Sequence, residues 1–352
     1  MTSFLSRCAI YAPNLVELEL SGSEELFAAH PALMRAVGTM ACLRKLRLWN
    51  AGPQAFGMLR QSHFRLRHAE ICGLHEQPPQ PSVKDNPIFA LYHSRDTLRV
   101  LTLENVPFDS DHHMPCYKNV DELTLSSSLV PPVHRLAQNF PNLRVLTVRT
   151  YPGYYYLNPA EREEQLQASI LRQEQRGTFR ALDSYSGSIL SLYVFGLTCR
   201  IPYVSLRDDE DELCWDASML QAAEDFVQLC AGADFRGGVR TLSMTFDVWW
   251  ARDLDLACVV ECIYSAVRSS SPRAVELIFD WRGFWEDCNE DVDPDFPPPA
   301  ETFLRSVDLD VVADELLETT ERLETAVVRL RILGRPEVTT QRGPDIDYDD
   351  DD

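Results

Sequence analysis

The chain has 352 residues, of which 45% are hydrophobic and 25% are charged, and this composition excludes a wholly disordered protein. It carries 33 Lys and Arg residues against 54 Asp and Glu residues, and the net charge of −21 disfavours nucleic acid and anionic membranes as partners. No stretch approaches the roughly 18 apolar residues of a membrane span, and the first residues lack the pattern of a secretory signal. The ten cysteines lack paired spacing, so we expect reduced thiols and a cytoplasmic or nuclear protein.

A six-residue phrase recurs along the chain, with apolar residues at its first, fourth and sixth positions. The four clearest copies are Leu15-Leu18-Leu20, Leu43-Leu46-Leu48, Leu98-Leu101-Leu103 and Leu143-Leu146-Val148. Six weaker copies are Leu66-Ala69-Ile71, Val120-Leu123-Leu125, Ile201-Val204-Leu206, Val239-Leu242-Met244, Ala274-Leu277-Phe279 and Val327-Leu330-Ile332. One such phrase fits a helix as well as a strand, but ten copies indicate a repeat array with a short strand at each copy.

Segments with helical spacing lie between these phrases. The residues 23–40 begin with Ser23 and two glutamates, which suit the first turn of a helix. The residues 159–175 begin with Pro159 and continue with acidic and then apolar residues at helical intervals. Further helices are predicted over 218–230, 254–267 and 302–323.

A strand followed by a helix every 22–35 residues is the unit of a leucine-rich repeat. Each unit has apolar residues on its strand and on its helix, and only stacking against its neighbours removes both from water. The predicted fold class is therefore α/β, an irregular leucine-rich-repeat solenoid (horseshoe) with a parallel β-ladder and outer helices. We expect this domain over residues 1–335 and a disordered acidic tail over 336–352.

The phrases PNLVELEL, CLRKLRLWNAG, DTLRVLTLENVPF, VDELTLSSS and PNLRVLTVRTYPG resemble the repeat region of F-box/leucine-rich-repeat proteins, especially the divergent set of mushroom-forming fungi. The resemblance covers roughly residues 8–335 and is confined to the repeats, since fourteen residues precede the first repeat and no F-box phrase is found. In that family, an F-box binds the Skp adaptor of a cullin–RING ubiquitin ligase and the repeats select the substrate. The resemblance therefore implies substrate recognition, with the Skp adaptor as a partner if an F-box exists upstream.

In this architecture the variable positions of each phrase point away from the core, onto the concave strand surface. We expect a protein partner on that surface. An exposed Trp flanked by Lys and Arg has the composition of a binding hot spot, whereas the alternative interpretation is a solvated face of mixed charge. The candidate residues are Glu17, Glu19, Lys45, Arg47, Trp49, His68, Glu70, Thr102, Glu104, Glu122, Thr124, Thr147 and Arg149.

Aromatic residues follow some of the predicted strands. In the phrase YPGYYY, Tyr154 and Tyr155 are candidates for partner binding, since large aromatic residues in loops suit recognition. The same residues suit packing beneath an irregular loop equally well. Both interpretations stay open.

No motif nominates an enzyme, a cofactor or a metal site. The chain lacks GxGxxG, GxxxxGK, GxSxG and HExxH, and the pair His112 and His113 has no further cluster with ligand spacing. We therefore expect a binding protein without a cofactor. The alternative to substrate recognition in a ubiquitin ligase is a stand-alone acidic repeat protein that binds basic partners such as histones, because six aspartates lie within residues 345–352.

Overall fold

The computed structural model describes residues 14–74, 86–106, 115–127, 131–150, 158–207, 239–247, 256–281, 307–332 and 336–344. The chain divides into two compact units, and each is described by itself. The first unit comprises Met1–Gly153 and Leu171–Phe179, and the second comprises Tyr154–Ile170 and Arg180–Asp352. None of the helices within the described ranges is long and apolar enough to cross a membrane.

Among its described residues, the first unit contains six strands that pair in chain order, and every pair is parallel. The strands are β1 (Glu17–Leu20), β2 (Lys45–Ala51), β3 (His68–Gly73), β4 (Val100–Glu104), β5 (Glu122–Ser127) and β6 (Val145–Thr150). Helices connect them: α1 (Ser23–Ala29), α2 (Pro31–Gly38), α3 (Pro53–Gln61), α4 (Pro87–Ala90) with a 3-10 turn at Tyr92–Ser94, and α5 (Val133–Asn139). The long helix α6 (Pro159–Arg176) contributes residues to both units.

The second unit contains strands β7 (Ser184–Gly187), β8 (Tyr203–Arg207), β9 (Thr241–Asp247), β10 (Ala274–Trp281), β11 (Thr325–Ile332) and β12 (Val338–Arg342). Its helices are α7 (Ile189–Phe195), α8 (Leu256–Ser270) and α9 (Leu309–Thr319). The strands β7 to β11 pair in parallel and in chain order, whereas β12 pairs with β11 in the antiparallel direction. Both units are thus α/β, and their strands are mostly parallel.

The apolar positions of the repeated phrase form the core of the first unit. The central residue of each copy pairs with that of the next, in the row Leu18, Leu46, Ala69, Leu101, Leu123 and Leu146. From Leu46 onward every member of this row is fully buried, whereas Leu18 on the edge strand is half-exposed. The predicted inward row of apolar side chains is therefore confirmed in this unit, and its first copy lies at the rim of the core.

The predicted single helix over residues 23–40 is wrong, because the chain forms α1 and α2 with a break at His30. The ring of Pro31 disfavours helical geometry in the residue before it, and His30 has φ −134° and ψ 69°. Pro31 then occupies the first turn of α2, where its missing N–H costs nothing. The prediction over 159–175 agrees with α6, and that over 254–267 corresponds to α8.

Two other helix predictions have different outcomes. The prediction over 302–323 extends too far at its end, because the helix α9 ends at Thr319, and residues 302–306 lie outside the described residues. The helix begins at Leu309, where the Asp308 carboxylate accepts hydrogen bonds from the backbone amides of Asp310 and Val311. The segment 218–230 lies outside the described residues.

The ninth predicted copy of the phrase is displaced by two residues. Val275 of β10 pairs with Leu242, and Leu277 pairs with Met244, so the copy is Pro272-Val275-Leu277 and not Ala274-Leu277-Phe279. Residues 274–279 are all buried. A strand that is buried on both faces shows no alternation, and the apolar pattern then leaves its register ambiguous.

The tenth predicted copy is displaced by four residues for the same reason. Ala326 of β11 pairs with Val275, and Val328 pairs with Leu277. The copy in register with its neighbour is therefore Leu323-Ala326-Val328 and not Val327-Leu330-Ile332. Residues 325–328 are consecutively buried, which hides the alternation that defines the phrase elsewhere.

The prediction that disorder begins at residue 336 is wrong for the start of that segment. Residues 338–342 form β12, which covers the edge of β11. The side chain of Arg342 contacts Asp310 at 2.6 Å and Asp314 at 2.9 Å, so α9 holds the strand through charge. The aspartates of residues 345–352 lie outside the described residues.

Candidate functional site

The face of β1 to β6 opposite the apolar row carries the candidate residues of the first unit. Alternation along each strand turns them away from the core, and the parallel register aligns them in rows across neighbouring strands. One row consists of Glu19, Arg47, Glu70, Thr102, Thr124 and Thr147. A second row begins with Glu17, Lys45 and His68 and reaches Glu122 on β5. The structure thus brings these residues together on one surface, which we call the strand face.

Ion pairs connect the acidic and basic residues of the strand face. The Lys45 ammonium lies 2.8 Å from a carboxylate oxygen of Glu17, and this hydrogen bond lowers the pKa of Glu17 below its usual range. The Arg47 guanidinium lies between two acids, 3.3 Å from Glu19 and 2.9 Å from Glu70. Exposed pairs of this kind contribute little to stability, but they hold long side chains in defined positions.

Trp49 lies at the end of β2, where the strand becomes irregular. The pairing with β3 shifts between Leu48 and Ala51, and Asn50 has a φ of 53°. The indole of Trp49 is half-exposed, and its Nε1–H donates to Glu19 at 3.1 Å. Glu19 therefore accepts hydrogen bonds from both Trp49 and Arg47, so that an aromatic ring and a guanidinium share one carboxylate.

The remainder of the strand face is more neutral. Thr102, Thr124 and Thr147 are half-buried and occupy equivalent positions on three consecutive strands. Glu104 accepts a hydrogen bond from the buried Cys72 thiol at 3.2 Å, and burial together with this carboxylate raises the pKa of Cys72. Arg149 is exposed on β6 at the level of Ser126. A protonated, buried thiol is a poor nucleophile, which leaves this region suited to hydrogen bonding.

His68 lies half-buried on β3 between the ion pairs and the threonines. Burial and the nearby Lys45 cation lower the pKa of His68 from its usual 6.5, although Glu70 opposes the shift. The unfolded chain therefore binds a proton at this position at a higher pH than the folded chain does. Stability is consequently lost as the pH falls below about 6.5.

Substitution of His68 by Gln is expected to reduce this acid sensitivity. Melting temperatures of the parent and of His68→Gln, measured at about pH 7.5 and about pH 5.5, test the expectation. Relative to the parent, the melting temperature of the variant should be higher by a few degrees at the lower pH than at the higher pH. The variant retains part of the acid sensitivity, because burial and nearby arginines also lower the pKa of His134. An unchanged difference between the two pH values would contradict the prediction.

The other sequence-predicted aromatic candidates, Tyr154 and Tyr155, lie outside the described residues, as do His112 and His113. Within the described ranges, no group of three or more His, Cys, Asp or Glu residues is arranged to hold a metal ion.

A charged network on the second unit was not predicted from the sequence. Glu276 of β10 has only 9% of its side chain exposed; it accepts a hydrogen bond from Ser243 at 2.9 Å and lies 2.8 Å from Arg329. Arg329 also contacts Glu337 at 3.0 Å, and Arg331 contacts the same carboxylate at 2.7 Å. These guanidinium groups lower the pKa of Glu337 below its usual range.

Two omissions explain why it was missed. Glu337 fell within the predicted disordered tail, and none of the outward residues of β10 and β11 was among the predicted candidates. The signal that could have found the network is the pair Arg329 and Arg331 at alternate positions of one strand.

No protein-family model matches the chain, and neither a curated protein nor a solved structure matches it.

Proposed function

We propose that the chain is a protein–protein interaction scaffold built from leucine-rich repeats, and that the strand face binds its partner. The leucine-rich assignment is supported by the repeated phrase, by the alternation of strands with helices, and by the parallel pairing in chain order. Stacked repeats of this kind present an extended surface of outward side chains, which suits the binding of another protein.

The observation that carries the proposal is the cluster of Glu19, Arg47 and Trp49. Trp and Arg are enriched among the residues that dominate binding energies, and both are held here by one carboxylate. A side chain that is already positioned loses less conformational entropy when a partner binds. The adjacent threonines offer neutral hydroxyl groups, so the strand face combines a charged and aromatic end with a hydrogen-bonding end.

The specific role that we infer is the selection of a substrate for ubiquitination, as in the F-box/leucine-rich-repeat proteins that the repeats resemble. In this role the protein acts in the cytoplasm or the nucleus, and the Skp adaptor joins it to the ligase if an F-box segment exists upstream of the repeats. Co-purification with the Skp adaptor tests this role separately from binding at the strand face. Recovery of the adaptor would support ligase function, and its absence from a complex that retains the strand-face partner would remove it.

Photo-crosslinking identifies the strand-face partner. We would place a benzoylphenylalanine at Thr124, in the middle of the strand face, and in a second protein at Arg35, which is exposed on α2. A partner of the strand face should crosslink from Thr124 and not from Arg35. Crosslinking from the helix alone would overturn the proposal.

Substitution of Trp49 by Ala is expected to weaken this partner's affinity by about 2 kcal/mol, or roughly 30-fold. The affinity is measured by titration with the recombinant partner, and Arg35→Ala serves as the exposed control on a helix. The control should bind within about twofold of the parent, since exposed residues outside an interface contribute little. Equal binding by Trp49→Ala and the parent would contradict the proposed site.

The alternative function is a stand-alone acidic protein that binds basic partners such as histones, and the net charge of −21 favours it. The titration with the recombinant partner distinguishes this function from binding at the strand face. Binding to a basic partner should weaken with added salt and when the six aspartates within residues 345–352 are changed to Asn, whereas binding through the Trp49 cluster should survive both changes.

A further inference from the structure

Four arginines occupy one level of the first unit, immediately before the strands begin. We call Arg44, Arg67, Arg99 and Arg144 the arginine ladder. Backbone hydrogen bonds align them: the amide of Arg67 donates to the carbonyl of Arg44 at 2.7 Å, and that of Arg99 donates to Arg67 at 2.8 Å. The amide of Asp121 then donates to the carbonyl of Arg99 at 3.0 Å, and the amide of Arg144 donates to the carbonyl of Asp121 at 2.9 Å. Five consecutive rungs thus carry four arginines and one aspartate.

Two arginines of the ladder, Arg67 and Arg99, have little compensation from the carboxylates of the described residues. Arg67, Arg99 and Arg144 are exposed, and Arg44 is half-buried with its guanidinium donating to two backbone carbonyls at 2.9 Å. Arg99 lies 4.0 Å from Asp121, which is the longest separation that an ion pair allows. Within the described part of the chain, the Arg67 guanidinium contacts no carboxylate.

One nearby carboxylate is paired with an arginine outside the ladder. The carboxylate of Asp96 lies 3.6 Å from Arg95, outside the ladder. Residues 1–176 carry 18 Lys and Arg residues and 17 Asp and Glu residues, so this half of the chain is close to neutral while the ladder carries a net charge of +3. The ladder is therefore a local basic strip on a chain whose net charge is strongly negative.

Neighbouring rungs are about 4.8 Å apart, the spacing of paired strands, and like charges at this separation repel each other. Carboxylates placed against the guanidinium groups relieve that repulsion and accept paired, charge-assisted hydrogen bonds. We propose that the arginine ladder binds an acidic peptide segment of a partner protein. The ladder residues are not those of the strand face, because they immediately precede the strands, and they require a negatively charged ligand.

A peptide fits the ladder better than nucleic acid does. The five rungs extend for about 19 Å, which an extended segment of about six residues covers. Asp121 interrupts the basic strip, and a continuous phosphate backbone would meet this carboxylate with like charge. A peptide can present a neutral residue there. A long polyanion would also extend beyond the strip, whereas a short peptide can match its length.

The test is a titration of the full chain with a fluorescein-labelled peptide of ten glutamates, followed by fluorescence anisotropy at about 50 mM salt. The double variant Arg67→Gln/Arg99→Gln is expected to bind at least fivefold more weakly than the parent. The matched control, Arg35→Gln/Arg172→Gln, removes the same charge from exposed helix positions of the same unit and should bind within about twofold. Melting temperatures verify that both variants are folded.

Further measurements decide between the peptide and its alternatives. A ten-residue polyglutamine peptide should not bind, and the affinity for polyglutamate should fall when salt is raised to about 300 mM. Equal weakening in the ladder and control variants would overturn the proposal, as would tighter binding of a ten-nucleotide single-stranded DNA. A lack of polyglutamate binding would also overturn it if a second form of the full chain fails to bind as well. In that form the six C-terminal aspartates are changed to Asn, so that they cannot compete with the peptide for the ladder.

Discussion

Substitution of Leu101 by Asp is expected to destabilise the first unit by at least about 4 kcal/mol or to prevent its folding. Leu101 is fully buried in the middle of the apolar row, between Ala69 on one strand and Leu123 on the other. The substitution removes a large apolar side chain and places a carboxylate among residues that offer it no partner, and both changes are costly. Urea unfolding and thermal melting of the parent and the variant measure the loss.

The adjacent residue offers a matched control. Thr102 lies next to Leu101 in β4 but faces outward and is half-buried, so Thr102→Asp introduces the same charge on the same strand toward water. This control should cost less than about 1.5 kcal/mol, because its Asp lies between Glu70 and Thr124 in the outward row rather than in the core. If the two variants melted within a few degrees of each other, the assigned register of β4 would be wrong.

Substitution of Arg329 by Leu is expected to destabilise the second unit by about 3 kcal/mol. Glu276 would keep its hydrogen bond from Ser243 but would lose the guanidinium that lies 2.8 Å away, leaving a carboxylate with 9% exposure in a site of low polarity. Removal of one partner of a buried ion pair is strongly destabilising because the other charge stays behind. The partial exposure of Arg329, which is 31%, sets the estimate at the lower end of this range.

A double-mutant cycle separates the pair from the packing of the arginine stem. The variant Glu276→Leu/Arg329→Leu removes both charges and should be more stable than Arg329→Leu alone. Arg322→Leu, at an exposed position of the same unit just before β11, controls for the loss of an arginine and should change stability by less than about 0.5 kcal/mol. A cycle in which the double variant is no more stable than Arg329→Leu would show that the ion pair does not carry the effect.

The central strands of the first unit were predictable because buried and less buried residues alternate along most of their length. The copies at Leu46, Leu101 and Leu146 alternate apolar and polar residues, and a shift by one residue would turn their apolar side chains to water. Alternation therefore encodes the register. The two late strands, β10 and β11, are buried on both faces, so the same reasoning assigned them registers that were wrong by two and four residues.

The members of the strand face were predictable, but their contacts were not. Alternation alone indicated that Glu19, Arg47, Trp49 and Glu70 face outward. That Arg47 lies between Glu19 and Glu70, and that Trp49 donates to Glu19, depends on strand pairing between residues separated by 23 to 30 positions in the chain. Side-chain direction at the irregular end of β2 also depends on the left-handed conformation of Asn50.

Apolar spacing in the amino-acid order was sufficient to identify strand–helix units, a parallel arrangement and an inward row of leucines, because the hydrophobic effect acts on patterns that are local in the chain. The partners of the charged groups emerged only after folding. Arg329 meets Glu276 and Glu337, and β12 covers the edge of β11, because pairing brings together residues that no local pattern relates. Electrostatic contacts depend on distances of a few ångströms, and those distances follow from register and strand order.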